Sequence, residues 1–371
     1  MRSFRDGNLE MSTNQDWPTV SIVIPCYNAE RWVEEAVESC LNQRYPNIEI
    51  IAVDDGSTDG SLGILQRYQP RIQVATGPNR GGNSARNTGF SRSTGKYIQF
   101  LDADDYLEPD KIGRQVEYLE RTGADAVYGD LRSRRHLADS RFSYMDPIWV
   151  SGAQEDIIAS LLSFWVVNGG AILYRREAVE RVGGWDEKLR AVQDTDFLMS
   201  VALSEAKIVY QPGSHFVYRR YGALTVSTSS LKRWLDNMCN YLAKSEASLL
   251  SSGRLTTKYR SALAIGYFET ARACYRFDGW SSFTTSSQTL NDIIDKILKL
   301  APDFKGKNES RAFLAVQSLF GFRFAMHLFI RARGATHAMR SLLRRTFLFN
   351  LALRLRGITL EQESIRRAVE S

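Results

Sequence analysis

Along the first third of the chain, short β-branched runs alternate with stretches in which apolar residues return every three or four positions. Residues 20–24 and 48–53 are runs of the first kind, and Val33, Ala36, Val37, Cys40 and Leu41, then Leu62, Leu65 and Tyr68, are of the second. A short apolar run bounded by turn residues is the pattern of a buried strand, and a three-to-four spacing marks one face of a helix. Residues 72–75 predict a weaker third strand, 97–101 a fourth and 126–128 a fifth. A short helix is expected through Ala85 and Arg86, and another along Ile112, Val116 and Leu119, with Pro109 suited to its start and Gly123 to its end. Asn28 is placed as the cap of the first helix, with Glu30 in its first turn. Beyond Asp130 the alternation stops, and residues 131–196 read as loops with one helix near 157–162 and the turn Gly183-Gly184-Trp185-Asp186. From about Leu231 the pattern is helical to the end.

Strands alternating with helices of this length predict an α/β fold, a mainly parallel, Rossmann-like sheet flanked by helices, followed by an all-helical C-terminal region. Ligands of such sheets bind outside the carboxyl ends of the strands. Pro25 and Tyr27 follow the first strand, Asp54 and Asp55 end the second, and Asp102 and Asp104 follow the fourth, so polar and aromatic residues collect on one edge.

Composition narrows the class. At 371 residues, 43% hydrophobic and 24% charged, the chain has ordinary globular make-up and enough length for one large or two unequal domains. Cys26, Cys40, Cys239 and Cys274 show neither disulfide-framework nor zinc spacing, and His136, His215, His327 and His337 form no metal-spaced set, which fits a reducing, cytoplasmic setting. Residues 1–17 are polar and lack the apolar stretch of a secretory signal, so they read as a loose tail. Residues 312–330 are apolar but interrupted by Gln317, Arg323 and His327, which argues against a membrane span. The net charge of +6 matches that of residues 331–371 alone, where nine Arg face three Glu. Any basic partner surface is therefore expected at the C-terminus, where anionic membrane binding and packing on the rest of the chain are both open. Nucleic acid is not expected, because the aromatic residues there do not form a stacking platform.

Candidate chemistry centres on Asp102-Ala103-Asp104-Asp105. If the segment is extended, Asp102 and Asp104 point to one side and Ala103 to the other, so two carboxylates meet one cation. Oxygen ligands of this kind suit Mn²⁺ or Mg²⁺, which also take oxygens from a diphosphate. An isolated cluster of this kind is more often a solvated turn capping a helix; its place at a strand end favours the ligand role. Asp55 could accept the N–H of a pyrimidine base with Tyr27 against the ring, or could serve as a turn and cap. Residues 79–87 combine glycines with Arg80 and Arg86 and could approach phosphate or ribose, a plain glycine turn being the alternative. Neither a Walker loop nor a GxGxxG follows the first strand. Asp194, in Gln193-Asp194-Thr195-Asp196-Phe197, is either a helix cap or a base that takes a proton from an acceptor hydroxyl. Arg219 and Arg220 could return to a diphosphate or simply face solvent.

Taken together, Pro25-Cys26-Tyr27-Asn28-Ala29-Glu30, Val53-Asp54-Asp55-Gly56-Ser57-Thr58-Asp59, Ala85-Arg86-Asn87-Thr88-Gly89 and Leu101-Asp102-Ala103-Asp104-Asp105 resemble family 2 glycosyltransferases of the GT-A fold. The resemblance runs over residues 19–225 through Gly183-Gly184-Trp185-Asp186-Glu187 and Gln193-Asp194. It implies a nucleotide-sugar donor, by that likeness alone a UDP-sugar, and an inverting transfer with Asp194 as base. It further implies that Pro25, Tyr27, Asn28, Asp55, Arg86, Asp102 and Ala103 contact the nucleotide sugar. Asp104 and Asp102 would hold Mn²⁺ or Mg²⁺, and Trp185, Asp186 and Glu187 would lie on the acceptor side. On this reading residues 18–228 are the catalytic domain, with a nucleotide-binding half at 18–130 and an acceptor-side half at 131–228, and 229–371 is a helical region, basic from 331.

The family commonly has Glu before the catalytic Asp and Tyr-Arg-x-His near the domain's end, where this chain has Gln193 and Tyr218-Arg219-Arg220-Tyr221. There is no Gln-x-x-Arg-Trp signature of processive synthases, which implies transfer of one sugar at a time to a glycan or lipid-linked acceptor, in bacterial surface polysaccharide or glycolipid synthesis. The expected location is the cytoplasm or, peripherally, the inner face of the cytoplasmic membrane. Two other readings compete: a sugar nucleotidyltransferase, disfavoured by the lack of a glycine-rich, lysine-bearing phosphate loop, and a non-catalytic nucleotide-sugar-binding protein of the same fold.

Overall fold

The computed structural model of the chain describes residues 17–136, 142–220, 230–276, 287–306 and 311–334. Its first strand, β1 (Val20–Cys26), is buried along nearly its whole length, as suits a strand covered on both faces. β1 pairs in parallel with β2 (Ile48–Asp54) on one side and with β4 (Tyr97–Phe100) on the other, and β2 pairs in parallel with β3 (Gln73–Thr76). The crossovers are α1 (Val33–Leu41), α2 (Ser61–Arg67) and α3 (Gly82–Arg92). The chain thus steps outward from β1 to β3 and then returns past β1 to β4. That reversal separates the loops after β1 and β4 at the sheet's carboxyl edge, the position where open α/β sheets receive ligands.

α3 reaches this edge because it packs unusually close to the sheet. A Cβ on Gly89 would lie 2.3 Å from a methyl of Val23 on β1 and 3.3 Å from one of Val53 on β2, so no larger residue fits there without displacing the helix.

Past β4 the sheet becomes mixed. β5 (Tyr106–Leu107), β6 (Ala126–His136), β7 (Phe142–Trp149), β8 (Ile172–Arg175) and β9 (Ile208–Arg220) extend it in the order β4-β8-β6-β9-β5, with β7 also on β6. The β4–β8, β8–β6, β6–β7 and β9–β5 pairs are antiparallel and β6–β9 is parallel. α4 (Lys111–Thr122) buries Ile112, Val116 and Leu119 and ends on Gly123 at φ 62°. The expected loops between 131 and 196 are therefore corrected: β6 continues to His136, and β7, β8 and α6 (Arg176–Arg181) follow. The polar half of β6 carries no apolar run to betray it, because Arg132 and Arg134 point to Glu108 and Glu35 rather than to a hydrophobic layer.

The remaining elements are α5 (Ile157–Leu162), α7 (Gln193–Leu203), α8 (Leu231–Ser251), α9 (Thr257–Arg276), α10 (Ser287–Leu300) and α11 (Arg311–Gly334). The chain divides into two compact units: one of Met1–Ala153, Val167–Lys188 and Ser204–Gly222, and one of Gln154–Val166, Leu189–Leu203 and Ala223–Ser371. The first holds the sheet with α1 to α4 and α6. The second is helical, and it includes α5 and α7, which the sequence division at 228 assigns to the catalytic domain. Its core is aromatic: the Phe268 ring lies 5.3 Å from that of Phe304, 5.9 Å from Phe322 and 6.3 Å from Phe313. Among the described residues no helix is long and apolar enough to cross a membrane. The N-terminal tail to residue 16, Tyr221 and the arginine-rich stretch from 335 lie outside the described residues.

Candidate active site

β4 runs directly into a tight turn in which the Asp105 N–H donates to the Asp102 carbonyl at 3.0 Å. The segment is therefore not extended, and the expected alternation of Asp102 and Asp104 about Ala103 is replaced by a fold-back. The turn nonetheless brings ligand oxygens of Asp102, Asp104 and Asp105 within 4.8 Å of one another. Asp102 and Asp104 are half-buried, whereas Asp105 is 1% exposed and accepts the Arg219 N–H at 2.8 Å. Burial, followed by the neighbouring Asp104 and Asp102 charges, pushes the Asp105 carboxyl well above the usual carboxylate range. Asp105 thus joins the cluster from beneath while tying it to β9, and Ala103 is buried. β5, which follows at once, pairs Tyr106 with Val217 and Leu107 with Phe216, so β9 braces the acidic turn from the other side as well.

Arg86 on α3 closes the cluster laterally. Its guanidinium is 7% exposed, donates to Asp102 Oδ1 at 2.6 Å and to Asn83 Oδ1 at 3.0 Å, and lies 4.6 Å from the centre of the Trp185 ring. A guanidinium so enclosed orients Asp102. Asn83 and Asn87, one turn apart on the same helix, seize the loop after α6. Asn83 Nδ2 donates to the Asp186 carbonyl at 2.7 Å, and Asn87 bonds both the N–H and the carbonyl of Trp185, at 2.8 and 2.9 Å, and the Glu187 carboxylate at 2.9 Å. The Trp185 ring is buried edge-on against Phe100, centroids 5.1 Å apart. Trp185 is therefore the buried anchor of the loop after α6. The sequence reading missed Asn83 and Asn87; the signal was a helix whose buried positions, Ser84, Ala85 and Gly89 among them, carry no large apolar side chain, so its polar residues had to hold it.

The loop after β2 is organised by its own carboxylates. Asp55 accepts the N–H groups of Arg80 and Gly81, one on each oxygen, both at 2.7 Å, and so shapes the segment that enters α3. Each oxygen keeps a second lone pair for another donor. Asn28, at φ 49°, does not cap α1: its side-chain oxygen accepts the Thr58 N–H at 2.8 Å, fastening the β1 loop to the β2 loop. Glu30 does the same by accepting the Gly60 N–H at 2.7 Å. Between these anchors Tyr27 stands 51% exposed just past β1, next in sequence to Pro25 and Cys26. Burial pushes the Cys26 thiol up to about 12, so it supplies no nucleophile.

With this geometry in view, residues 21–183 match the model of the Glycosyl transferase family 2. The chain carries a family 2 glycosyltransferase domain of the GT-A fold. It is 32% identical over 210 residues to the uncharacterized glycosyltransferase EpsJ of Bacillus subtilis, an alignment covering 54% of this chain and 61% of that protein. It is 43% identical over 107 residues to the chondroitin synthase of Escherichia coli, covering 28% of this chain and 16% of the synthase. The chain thus spans less than two thirds of the length of either relative. Among solved structures it resembles S. aureus TarS 1-349 in complex with UDP-GlcNAc, with a TM-score of 0.60, 16% identity, and coverage of 84% of this chain and 92% of that one; at such identity the likeness concerns the fold.

Arg219, a candidate for the diphosphate, is wholly buried, with its guanidinium 2.5 Å from Glu35 and 4.4 Å from the Trp32 ring centre, so it braces the floor of the turn through its backbone N–H. Glu35 also accepts from Arg134 at 2.5 Å, giving an Arg-Glu-Arg bridge between α1, β6 and β9 that the sequence did not reveal. Arg220 is exposed beside Tyr218. Asp194 stands in the first turn of α7, in the second unit and beyond the matched segment.

Proposed function

We propose that the chain is an inverting glycosyltransferase that moves one sugar at a time from a nucleotide-diphosphate sugar, a UDP-sugar by preference, to a hydroxyl of a glycan or lipid-linked acceptor. The observation that carries this reading is the convergence of the Asp102, Asp104 and Asp105 carboxylates at the switch point of the sheet. The donor set is all oxygen, its two outer members are half-exposed, and Asp102 gives only one oxygen to Arg86, so the residues fit Mn²⁺ or Mg²⁺. Asp104 and Asp102 would hold the divalent ion, which would supply Lewis-acid stabilisation of the departing diphosphate.

The chain's own residues do the rest. Tyr27 presents a ring face for the base, Asp55 offers its remaining lone pairs to a base N–H, and Asp102, fixed by Arg86, faces the ribose and diphosphate. Asp194 takes the proton of the acceptor hydroxyl as the new glycosidic bond forms on the face opposite the leaving nucleotide. The named relationship to a chondroitin synthase supports a polysaccharide or glycolipid acceptor.

The test is a panel of nucleotide-diphosphate sugars offered to the full chain with Mn²⁺ or Mg²⁺ and a mixture of glycan and lipid-linked acceptors. Release of nucleoside diphosphate that depends on both metal and acceptor is expected. Exchange of pyrophosphate into the donor would instead indicate a nucleotidyltransferase, and binding without turnover a non-catalytic protein.

A further inference from the structure

We infer that helix α8 of the helical region sets the position of the base-bearing turn, with Lys244 and Asn237 as positioning residues for transfer. The inference rests on the reading of Asp194 as the base and adds to it a cause for where that carboxylate sits.

The segment leading into α7 is held in a conformation it would not choose. Val192, immediately before Gln193 and Asp194, has φ 63°, a left-handed setting that a β-branched side chain rarely adopts. Such settings persist only where the surroundings impose them. Here they are imposed from α8. Asn237 Oδ1 accepts the Arg190 N–H at 3.2 Å, and the same amide is oriented by donating to the Arg233 carbonyl at 2.7 Å. Seven residues on, two turns along the same helix face, the Lys244 ammonium lies 2.8 and 3.0 Å from the two oxygens of Asp196. Tyr241, between them on that face, is fully buried. Asp196 in turn donates its N–H to the Val192 carbonyl at 3.0 Å, closing the first turn of α7 on the strained residue. Gln193 adds a bond from its side chain to the Leu189 carbonyl at 3.0 Å.

Asp194 is thus bracketed. Two residues before it the backbone is forced left-handed, two residues after it a carboxylate with only 5% of its side chain exposed is gripped by an ammonium, and α8 fastens both sides. With Lys244 47% exposed the pair adds little to stability, so its use here is better explained by what it orients. Catalysis by a base depends on its position to within about an ångström, an error of that size costing about 100-fold.

The experiment uses the full chain and the donor and acceptor that the panel identifies. Lys244→Gln keeps a polar end on a side chain one atom shorter and removes the charge. It is expected to lower kcat by about 10- to 100-fold while the KM for donor and the melting temperature stay near wild type. Hydrogen exchange of the amides in residues 190–198 is expected to speed up. Lys244→Arg, which can still grip Asp196, should recover most of the activity and protection. Asn237→Ala releases the other bracket and should raise exchange at Arg190, so it carries the same test if Lys244→Gln does not fold. A kcat and an exchange pattern unchanged in folded Lys244→Gln, or in Asn237→Ala, would overturn the inference. Wild-type kcat in Asp194→Asn would overturn instead the reading of the base, and the exchange data would still decide whether α8 holds the segment.

Discussion

A guanidinium with almost no solvent must give its N–H groups to neighbouring acceptors, and Arg86 gives them to Asp102 and Asn83 while its flat face covers Trp185. Removing it would leave one carboxylate of the acidic turn without its cation and a void beside the indole. Arg86→Ala is therefore expected to lose about 1–3 kcal/mol of unfolding free energy, measured by denaturant titration, and to weaken metal-dependent nucleotide binding. Arg86→Lys keeps the charge but cannot serve both acceptors, so it should fall between. An unfolding midpoint unchanged in Arg86→Ala would remove Arg86 from the architecture of the site. At this scale the sequence was informative where strand ends announced polar residues, as for Asp54, Asp55, Asp102 and Asp104. It did not show how deep a charged residue lies: Arg86, read as a contact of the nucleotide, and Arg219, read as reaching a diphosphate or facing solvent, are both buried and partnered.

Strands and helices carry the site by their edges as well as their faces. Glu49 on β2 accepts from the Ser21 hydroxyl of β1 at 2.5 Å and from the Thr94 and Gly95 N–H groups, at 2.5 and 2.8 Å, in the turn that leads into β4. One carboxylate thereby ties three neighbouring parallel strands at the edge opposite the site. Burial alone would raise its pKa, but the Ser21, Thr94 and Gly95 hydrogen bonds outweigh that and hold it below the ordinary glutamate range. A lowered folded-state pKa gives stability that is complete above the ordinary value, about 4.3, and is lost as pH falls through the folded one. Glu49→Gln should consequently lower the melting temperature at pH 7 and flatten its fall in acid, whereas parallel acid limbs for the two proteins would contradict the assignment. The first four strands and α4 were legible because buried parallel strands are continuous apolar runs. β5, at two residues, is too short to register, and the outer half of β6, Arg132-Ser133-Arg134-Arg135-His136, is wholly polar and pairs through hydrogen bonds that composition does not display. α3 was legible only in part, because its contact with the sheet depends on Gly89 and on polar side chains and not on an apolar stripe.

For the molecule as a whole, the strand order decides where the chemistry lies. The reversal after β3 brings the ends of β1 and β4 side by side, so the loop with Tyr27 and the turn with Asp102 face one edge without any catalytic motif being adjacent to another in sequence. That much follows from right-handed βαβ crossovers and was readable from the alternation of elements. The membership of α5 and α7 in the helical unit was not, since it arises from long-range packing rather than from any break in composition. If the acidic turn holds a divalent ion and, through it, the diphosphate of a nucleotide, binding of that nucleotide depends on the ion and on Asp104. Calorimetric titration of UDP into the full chain, with Mn²⁺ and then with a chelator, tests it most directly when repeated on Asp104→Ala. Binding is expected to require Mn²⁺ in the wild-type chain and to be lost in Asp104→Ala at unchanged melting temperature. Equal affinity for UDP in the chelator, or in folded Asp104→Ala with Mn²⁺, would contradict it.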